Sequence, residues 1–139
     1  MSRRPSEEFL AALVVTAVEH GGYGWFTVTD FQCPQDDPEG TYAVIDAPDS
    51  DLRRTRIDPR VMDKGLAIIR RATGRLPDVP TPPDHPIYHH RDTGEPLYIS
   101  HGQRHKILLA ARRDDAGQLD IVDALAVLEI ALFGAVLCT

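Results

Sequence analysis

The C-terminal segment limits the fold more than any other feature, because it is apolar on nearly every side of a helix. Asp120 is a typical N-cap, and the helix that follows it, IVDALAVLEIALFGAVL, is amphipathic at first and then apolar all round. Such a helix must be buried, either in the core of its own domain or against another subunit. We do not expect it to span a membrane, since it contains Asp123 and Glu129 and barely reaches the required length.

Helical periodicity of the apolar residues predicts three further helices. Ser6 is suited to cap the first of them, and Asp58 followed by Pro59 is a typical helix start. Gly21-Gly22 ends the first helix, and the DDAG turn ends the third. The four predicted helices cover residues 6–20, 59–72, 103–113 and 121–137.

Short segments rich in β-branched and aromatic residues predict strands over 23–32, 41–47 and 52–58. The region of about 75–100 is different: five prolines between Pro77 and Pro86 predict an extended connector, and a short ribbon then turns at Asp92-Thr93-Gly94. The chain is therefore predicted to be a single α+β domain over residues 1–139. It combines a small antiparallel sheet, packed against three to four helices, with a Pro-rich insertion at about 75–100.

The charge of the chain argues against one broad class of partner. Its 139 residues carry 15 Lys and Arg against 21 Asp and Glu, a formal net charge of -6. An acidic chain has no broad basic surface for phosphates, so general binding to DNA or RNA is not expected. Among the basic residues only Lys64 and Lys106 are lysine. The excess of arginine reflects either a high-GC genome or the recognition of phosphate or carboxylate, for which guanidinium is a planar bidentate donor.

The sequence offers little for metal binding or catalysis. Cys33 and Cys138 do not form a CxxC pair, so we expect no zinc cluster. No apolar segment typical of a secretory signal opens the chain, so we expect a cytoplasmic location. His101 and His105 are spaced to share a metal, but no third ligand is defined. The motifs GxSxG, GxxxxGK[ST] and GxGxxG do not occur. We therefore expect no catalytic residue, no metal and no cofactor.

Two groups of residues are candidates for binding a ligand. Tyr23 and Trp25 fall on one face of the first predicted strand, where they would form a stacking platform for a planar base or else pack as core against the first helix. The second group is basic, lies in SHGQRHKILLAARRDDAG, and would bind a phosphorylated or multiply anionic ligand or else form a solvated helix side. Its members are His101, Arg104, Arg112 and Arg113.

Three blocks of the sequence resemble a family of small proteins of phages and mobile elements that is common in high-GC bacteria. The first block, FLAALVVTAVEHGGYGWF, is similar to the family's helix ending in TAVEGG and its aromatic Tyr-Trp strand. The block RIDPRVMDKGLAIIRR is similar to the family's middle helix. The block ILLAARRDDAGQLDIVDALAVLEIALFGAVL is similar to its terminal pattern, a short helix, an Asp-Ala-Gly turn, an Asp-capped helix and a Leu-Phe-Gly ending.

In function the chain resembles phage Thoeris anti-defence proteins of the first type. This resemblance implies a catalytically inert, dimeric or hexameric protein. Its pockets at subunit interfaces would sequester, without cleaving it, a cyclic nucleotide immune signal such as a cyclic ADP-ribose isomer or a cyclic oligonucleotide. The chain departs from the family at two places. Gly24 separates Tyr23 from Trp25, whereas the family usually has Tyr and Trp adjacent, and Arg112-Arg113 stands where Asn-Arg is common. Two other functions stay open: a module that inhibits another protein, and a small nucleotide hydrolase that uses the His and Asp residues around 89–105.

Overall fold

The computed structural model describes residues 5–19, 24–75 and 87–136, which form four helices and two small antiparallel sheets. The helices are α1 (Glu7–Val18), α2 (Pro59–Arg71), α3 (His101–Arg113) and α4 (Ile121–Phe133). The strands are β1 (Thr27–Gln32), β2 (Tyr42–Ala47), β3 (Leu52–Ile57), β4 (Thr73–Arg75) and β5 (Ile87–His89). The predicted α+β class is confirmed.

Helix α4 is the centre of the core, and its own chain buries it. Every residue from Asp123 to Ala131 is buried, and the helix packs against both α1 and α2. Of the two alternatives for the apolar segment, burial inside the domain is therefore the one observed. The helix ends at Phe133, so the prediction that it continues to residue 137 was wrong. Gly134 adopts a left-handed conformation (φ 79°) and its N–H donates to the Ile130 carbonyl, which closes the helix.

The N-terminal caps of the helices follow the sequence signals. Ser6 and Asp58 each accept a hydrogen bond from a backbone N–H of the first turn, as predicted. Asp120 and Asp123 form a reciprocal capping box at the start of α4. Helix α3 begins before the predicted residue 103, because the Ser100 hydroxyl accepts from the Gln103 N–H and so starts the helix at residue 101.

Strands β1, β2 and β3 form an antiparallel sheet in that order, and alternate residues of β2 face the helices. The strand predicted over 23–32 begins only at Thr27, so the prediction was wrong for residues 24–26, and residue 23 lies outside the described part of the chain. Thr27 pairs with Asp46 near the end of β2, and the preceding Phe26 turns into the core with 3% of its surface exposed. All six residues of β1 are exposed, and the strand contains a bulge at Thr29, whose hydroxyl donates to the Val44 carbonyl.

A hairpin follows the Pro-rich segment, whose residues 76–86 lie outside the described part of the chain. The predicted ribbon is confirmed: the His90 N–H donates to the Glu95 carbonyl at 2.8 Å, and the Gly94 N–H donates back to the His90 carbonyl at 2.8 Å. Strand β5 pairs with β4, which directly follows α2 and was not predicted. This pairing places the hairpin turn of residues 90–95 beside the outer face of α2.

The position of α2 depends on a close approach to α4. Gly65 lies at the contact, where a Cβ atom would be 2.9 Å from Val127 Cγ1 and closer still to the Val127 carbonyl oxygen. The glycine is thus required by space rather than by its backbone conformation. Because Gly65 and its buried neighbours Leu66 and Ile69 face the core, the opposite side of α2 is left for solvent.

Candidate ligand-binding site

A cleft of about 360 Å³ runs between the outer face of α2 and the hairpin turn. Helix α2 lines it with residues spaced three, four and seven apart, which places them on one face of the helix. The cleft has an apolar floor and a basic rim. Its lining consists of Lys64, Ala67, Ile68 and Arg71 from α2 with His90, Arg91 and Asp92 from the turn.

The basic rim carries positive charge that no ion pair among the described residues neutralises. Lys64, Arg71 and Arg91 are all exposed, and none of them forms an ion pair within the described residues. Asp92 is the single carboxylate among the described residues that line the cleft. Guanidinium groups bind phosphate through paired charge-assisted hydrogen bonds, so this rim is suited to an anion.

A second cleft of about 310 Å³ adjoins the first at His90, which lines both. The His90 side chain is held in the turn, because its Nδ1 accepts from the N–H groups of Asp92 at 3.1 Å and Thr93 at 3.4 Å. This second cleft is mainly apolar and aromatic. Its lining consists of His90, Thr93, Glu95, Pro96, Tyr98, Phe133, Gly134 and Ala135.

A further cavity of about 620 Å³ lies beside α1 and the start of α2 and is less suited to an anion. It is lined by three carboxylates and two arginines. One of the arginines, Arg56, pairs with Asp58 at 3.5 Å and stacks over the Tyr42 ring at 4.3 Å. The Tyr42 hydroxyl donates to Asp30 at 3.0 Å, and this hydrogen bond raises the pKa of the Tyr42 phenol.

The structure places Trp25 against the core. Its ring stacks on Phe26 at a centroid distance of 4.7 Å and lies 5.8 Å from the ring of Phe133. The indole Nε1 is buried and has no hydrogen-bond partner in the part of the chain that the structure describes. These contacts match the alternative of core packing, although a role of Trp25 in ligand binding stays a prediction. Tyr23 lies outside the described residues.

The structure brings His101 and Arg104 together around Tyr88. The Tyr88 hydroxyl lies 2.6 Å from His101 Nδ1, and the Arg104 guanidinium lies 4.6 Å from the centre of the Tyr88 ring. Arg104 also donates to the carbonyl oxygens of Ile69 at 3.1 Å and Arg70 at 3.3 Å, at the C-terminal end of α2. Its donors therefore satisfy helix carbonyls and complement the helix dipole.

Arg112 and Arg113 do not join this group. Both are exposed in the last turn of α3. Arg112 lies eight positions after Arg104, which corresponds to about 12 Å along a helix axis. Neither arginine lines the two clefts beside the hairpin. Their proposed contact with a ligand stays a prediction.

An acidic cluster at the start of α4 is explained by capping. Lys106 Nζ lies 2.7 Å from the buried Asp123 carboxylate and 3.7 Å from Asp120. The hydrogen bond with Asp123 raises the pKa of Lys106, and the Asp123 N–H lowers the pKa of the Asp120 carboxyl. Both shifts favour the charged forms, the ammonium of Lys106 on α3 and the carboxylate of Asp120 at the start of α4.

Sequence reasoning missed the basic cleft, although part of its signal was present. Lys64 and Arg71 are seven positions apart on α2 and so share its outer face. Arg71 lies in the last turn of α2, where a basic residue is accounted for by its interaction with the helix dipole and does not by itself indicate a ligand. The contribution of Arg91 was not accessible, because it depends on the long-range pairing of β4 with β5.

Comparison with known proteins gave no match to a family model, to a curated protein or to a solved structure. Among the described residues, no helix is long and apolar enough to cross a membrane. Within the same ranges, no group of three or more His, Cys, Asp or Glu side chains could hold a metal ion.

Proposed function

We propose that this protein binds a small phosphorylated ligand of the cyclic nucleotide class and holds it without cleaving it. The observation that carries the proposal is the basic rim of the cleft between α2 and the hairpin turn, with its exposed Lys64, Arg71 and Arg91, which form no ion pair with another described residue. A volume of about 360 Å³ lies in the range typical of small-molecule sites. Three clustered cations suit a ligand with one or two phosphates.

The residues of the cleft support binding rather than turnover. Among the described residues that line it, none is a serine, threonine or cysteine, so these residues supply no hydroxyl or thiol nucleophile. Its histidine, His90, already uses Nδ1 to accept two backbone hydrogen bonds. A cleft that contributes charge and shape, with no hydroxyl or thiol side chain in its described lining, is suited to sequestering a ligand.

The resemblance to phage anti-defence proteins extends this proposal to a biological role. In that role the protein acts in the cytoplasm of the host cell and removes a cyclic nucleotide immune signal, such as a cyclic ADP-ribose isomer, from its receptor. The cleft is open on one side, because its cations are exposed, and a second copy of the chain in a dimer or hexamer would close it. Helix α4 does not supply this interface, since it is buried within its own domain.

The direct test is calorimetric titration with a panel of cyclic ADP-ribose isomers and cyclic dinucleotides. We expect one member to bind, to bind more weakly as salt is added, and to be recovered chemically unchanged after the protein is denatured. Losing one charge-assisted contact costs about 1.5–3 kcal/mol, so Arg71→Gln and Arg91→Gln should each weaken binding about 10- to 150-fold. Failure of every member to bind, or recovery of a cleaved product, would refute the proposal.

Two further variants locate the site. Arg53→Gln removes the same charge from an exposed position on β3, outside the cleft, and should leave affinity unchanged. Arg113→Gln tests the arginines of α3 that the sequence analysis singled out. If only the α3 variant loses affinity, the ligand binds at α3 and the cleft beside α2 is not its site.

A further inference from the structure

We infer that the second cleft, between Tyr98 and Phe133, binds the planar base of the same ligand whose phosphates occupy the basic cleft. This inference rests on the proposed function and adds the orientation of the ligand to it. The two clefts meet at His90, so a single small molecule can reach from one to the other across the side of the hairpin turn.

The backbone holds the Tyr98 ring outward over the cleft. Tyr98 is 68% exposed, whereas its neighbours Leu97 and Ile99 are 0% and 6% exposed. The backbone of Leu97 is fixed on both sides: its N–H donates to the Tyr88 carbonyl, and its own carbonyl accepts from the Val136 N–H. With both neighbours anchored in the core, the side chain between them is directed to solvent.

This arrangement requires an unfavourable backbone conformation at Tyr98. Its φ is 58°, in the left-handed region that side chains other than glycine rarely adopt. Such conformations persist only where the surroundings impose them, and they are concentrated at ligand-binding sites. An exposed aromatic ring held at the cost of backbone strain is therefore a candidate ligand contact.

The opposite wall of the cleft is also suited to a flat ring. Phe133, at the end of α4, lines it and is supported from behind by Trp25, 5.8 Å away. Bases bind proteins chiefly by stacking on aromatic side chains, because every base presents a π face. Tyr98 and Phe133 thus provide the apolar surfaces that a base would contact.

The charges of the two clefts assign the ends of the ligand. The cleft beside α2 presents Lys64, Arg71 and Arg91. Among the described residues that line the aromatic cleft, none is lysine or arginine, and Glu95 presents a carboxylate. A phosphate would be repelled by Glu95, but an exocyclic amino group of a base would donate a hydrogen bond to it. The chemistry therefore favours an amino-substituted base, such as adenine.

The test compares two probes, cyclic ADP-ribose and inorganic pyrophosphate, on the wild type and on Tyr98→Gly. Glycine removes the ring and accepts the positive φ, so this variant should fold at least as stably as the wild type in urea. We expect it to bind cyclic ADP-ribose about 5- to 150-fold more weakly and pyrophosphate with unchanged affinity. Tyr98→Phe keeps the ring and should therefore bind cyclic ADP-ribose more tightly than Tyr98→Gly does.

The control is Phe31→Ala, which removes another exposed aromatic ring, from β1, and should change neither affinity. Unchanged binding of cyclic ADP-ribose by Tyr98→Gly would overturn the base site and leave the basic cleft intact. An equal loss for both probes would also overturn it, because the ring would then act on the phosphate cleft. If neither probe binds the wild type, the proposed function itself fails for this ligand class, and this inference fails with it.

Discussion

The contact between α2 and α4 predicts that adding a single methyl group will destabilise the protein. In Gly65→Ala the new Cβ would lie 2.9 Å from Val127 Cγ1 and closer to the Val127 carbonyl oxygen. Non-bonded carbon atoms prefer about 3.5–4.0 Å, so α2 must move away from α4 by roughly 1 Å. Overpacking of this kind costs about 1–3 kcal/mol.

Helix propensity acts in the opposite direction, and the two magnitudes decide the sign. Alanine is more favourable than glycine in a helix interior by about 0.8–1.0 kcal/mol. Because the obstacle includes backbone and not only a flexible side chain, we take the upper part of the overpacking range and expect a net loss of about 1–2 kcal/mol. Urea unfolding followed by circular dichroism measures this as a lower midpoint at unchanged slope.

Gly102→Ala is the matched control for this prediction. Gly102 lies in the first turn of α3, and a Cβ there would meet nothing within 4 Å. The same substitution should therefore leave stability unchanged or raise it by up to about 1 kcal/mol. If Gly65→Ala unfolds at the same urea concentration as the wild type or at a higher one, α2 and α4 do not pack as closely at Gly65 as the structure places them.

Three further predictions concern individual side chains. Trp25→Phe removes a buried indole N–H without a described partner and should change the free energy of urea unfolding by less than about 1 kcal/mol, whereas Trp25→Ala should cost about 3–5 kcal/mol. Arg104→Ala loses two bonds to carbonyls of α2 and should lower stability by about 1.5–3 kcal/mol in thermal unfolding, and an unchanged melting temperature would contradict this. The Asp120 carboxyl has a pKa below its ordinary value of 3.8. Its ionised form therefore stabilises the folded protein fully above about pH 3.8, and this stabilisation is lost as the pH falls through the lower pKa of the folded state. Asp120→Asn should reduce this acid sensitivity in denaturation curves measured from about pH 6 to about pH 2.

Local signals predicted most of the helices, because the groups that start a helix are close in sequence. The caps at Ser6, Asp58 and Asp120 each act on a backbone N–H within the first turn. The end of α4 has a local signal of the same kind in Gly134. The apolar residues that follow Gly134 nevertheless predict a longer helix, because they continue the apolar pattern.

Long-range contacts account for what the sequence did not predict. Arg104 satisfies carbonyls on another helix, and nothing near it in the chain indicates that its donors are already used. Strand β1 begins only at Thr27, after Trp25, because its pairing with β2 starts at Asp46, close to the end of β2. This start is a property of the pairing and not of the segment. The basic cleft joins residues of α2 to a turn that begins at His90, and it exists only once β4 has paired with β5.

The bulge at Thr29 has a consequence for how copies of this chain can associate. Strand β1 lies at the edge of the three-stranded sheet, and its inner-side residues Val28 and Phe31 are 37% and 43% exposed. A straight edge with such residues would invite another strand to extend the sheet without limit. The bulge interrupts the hydrogen-bond ladder and increases the local twist, and Asp30 adds charge directly after it. A closed dimer or hexamer is thus compatible with this edge, whereas open-ended, fibre-like growth through β1 is disfavoured.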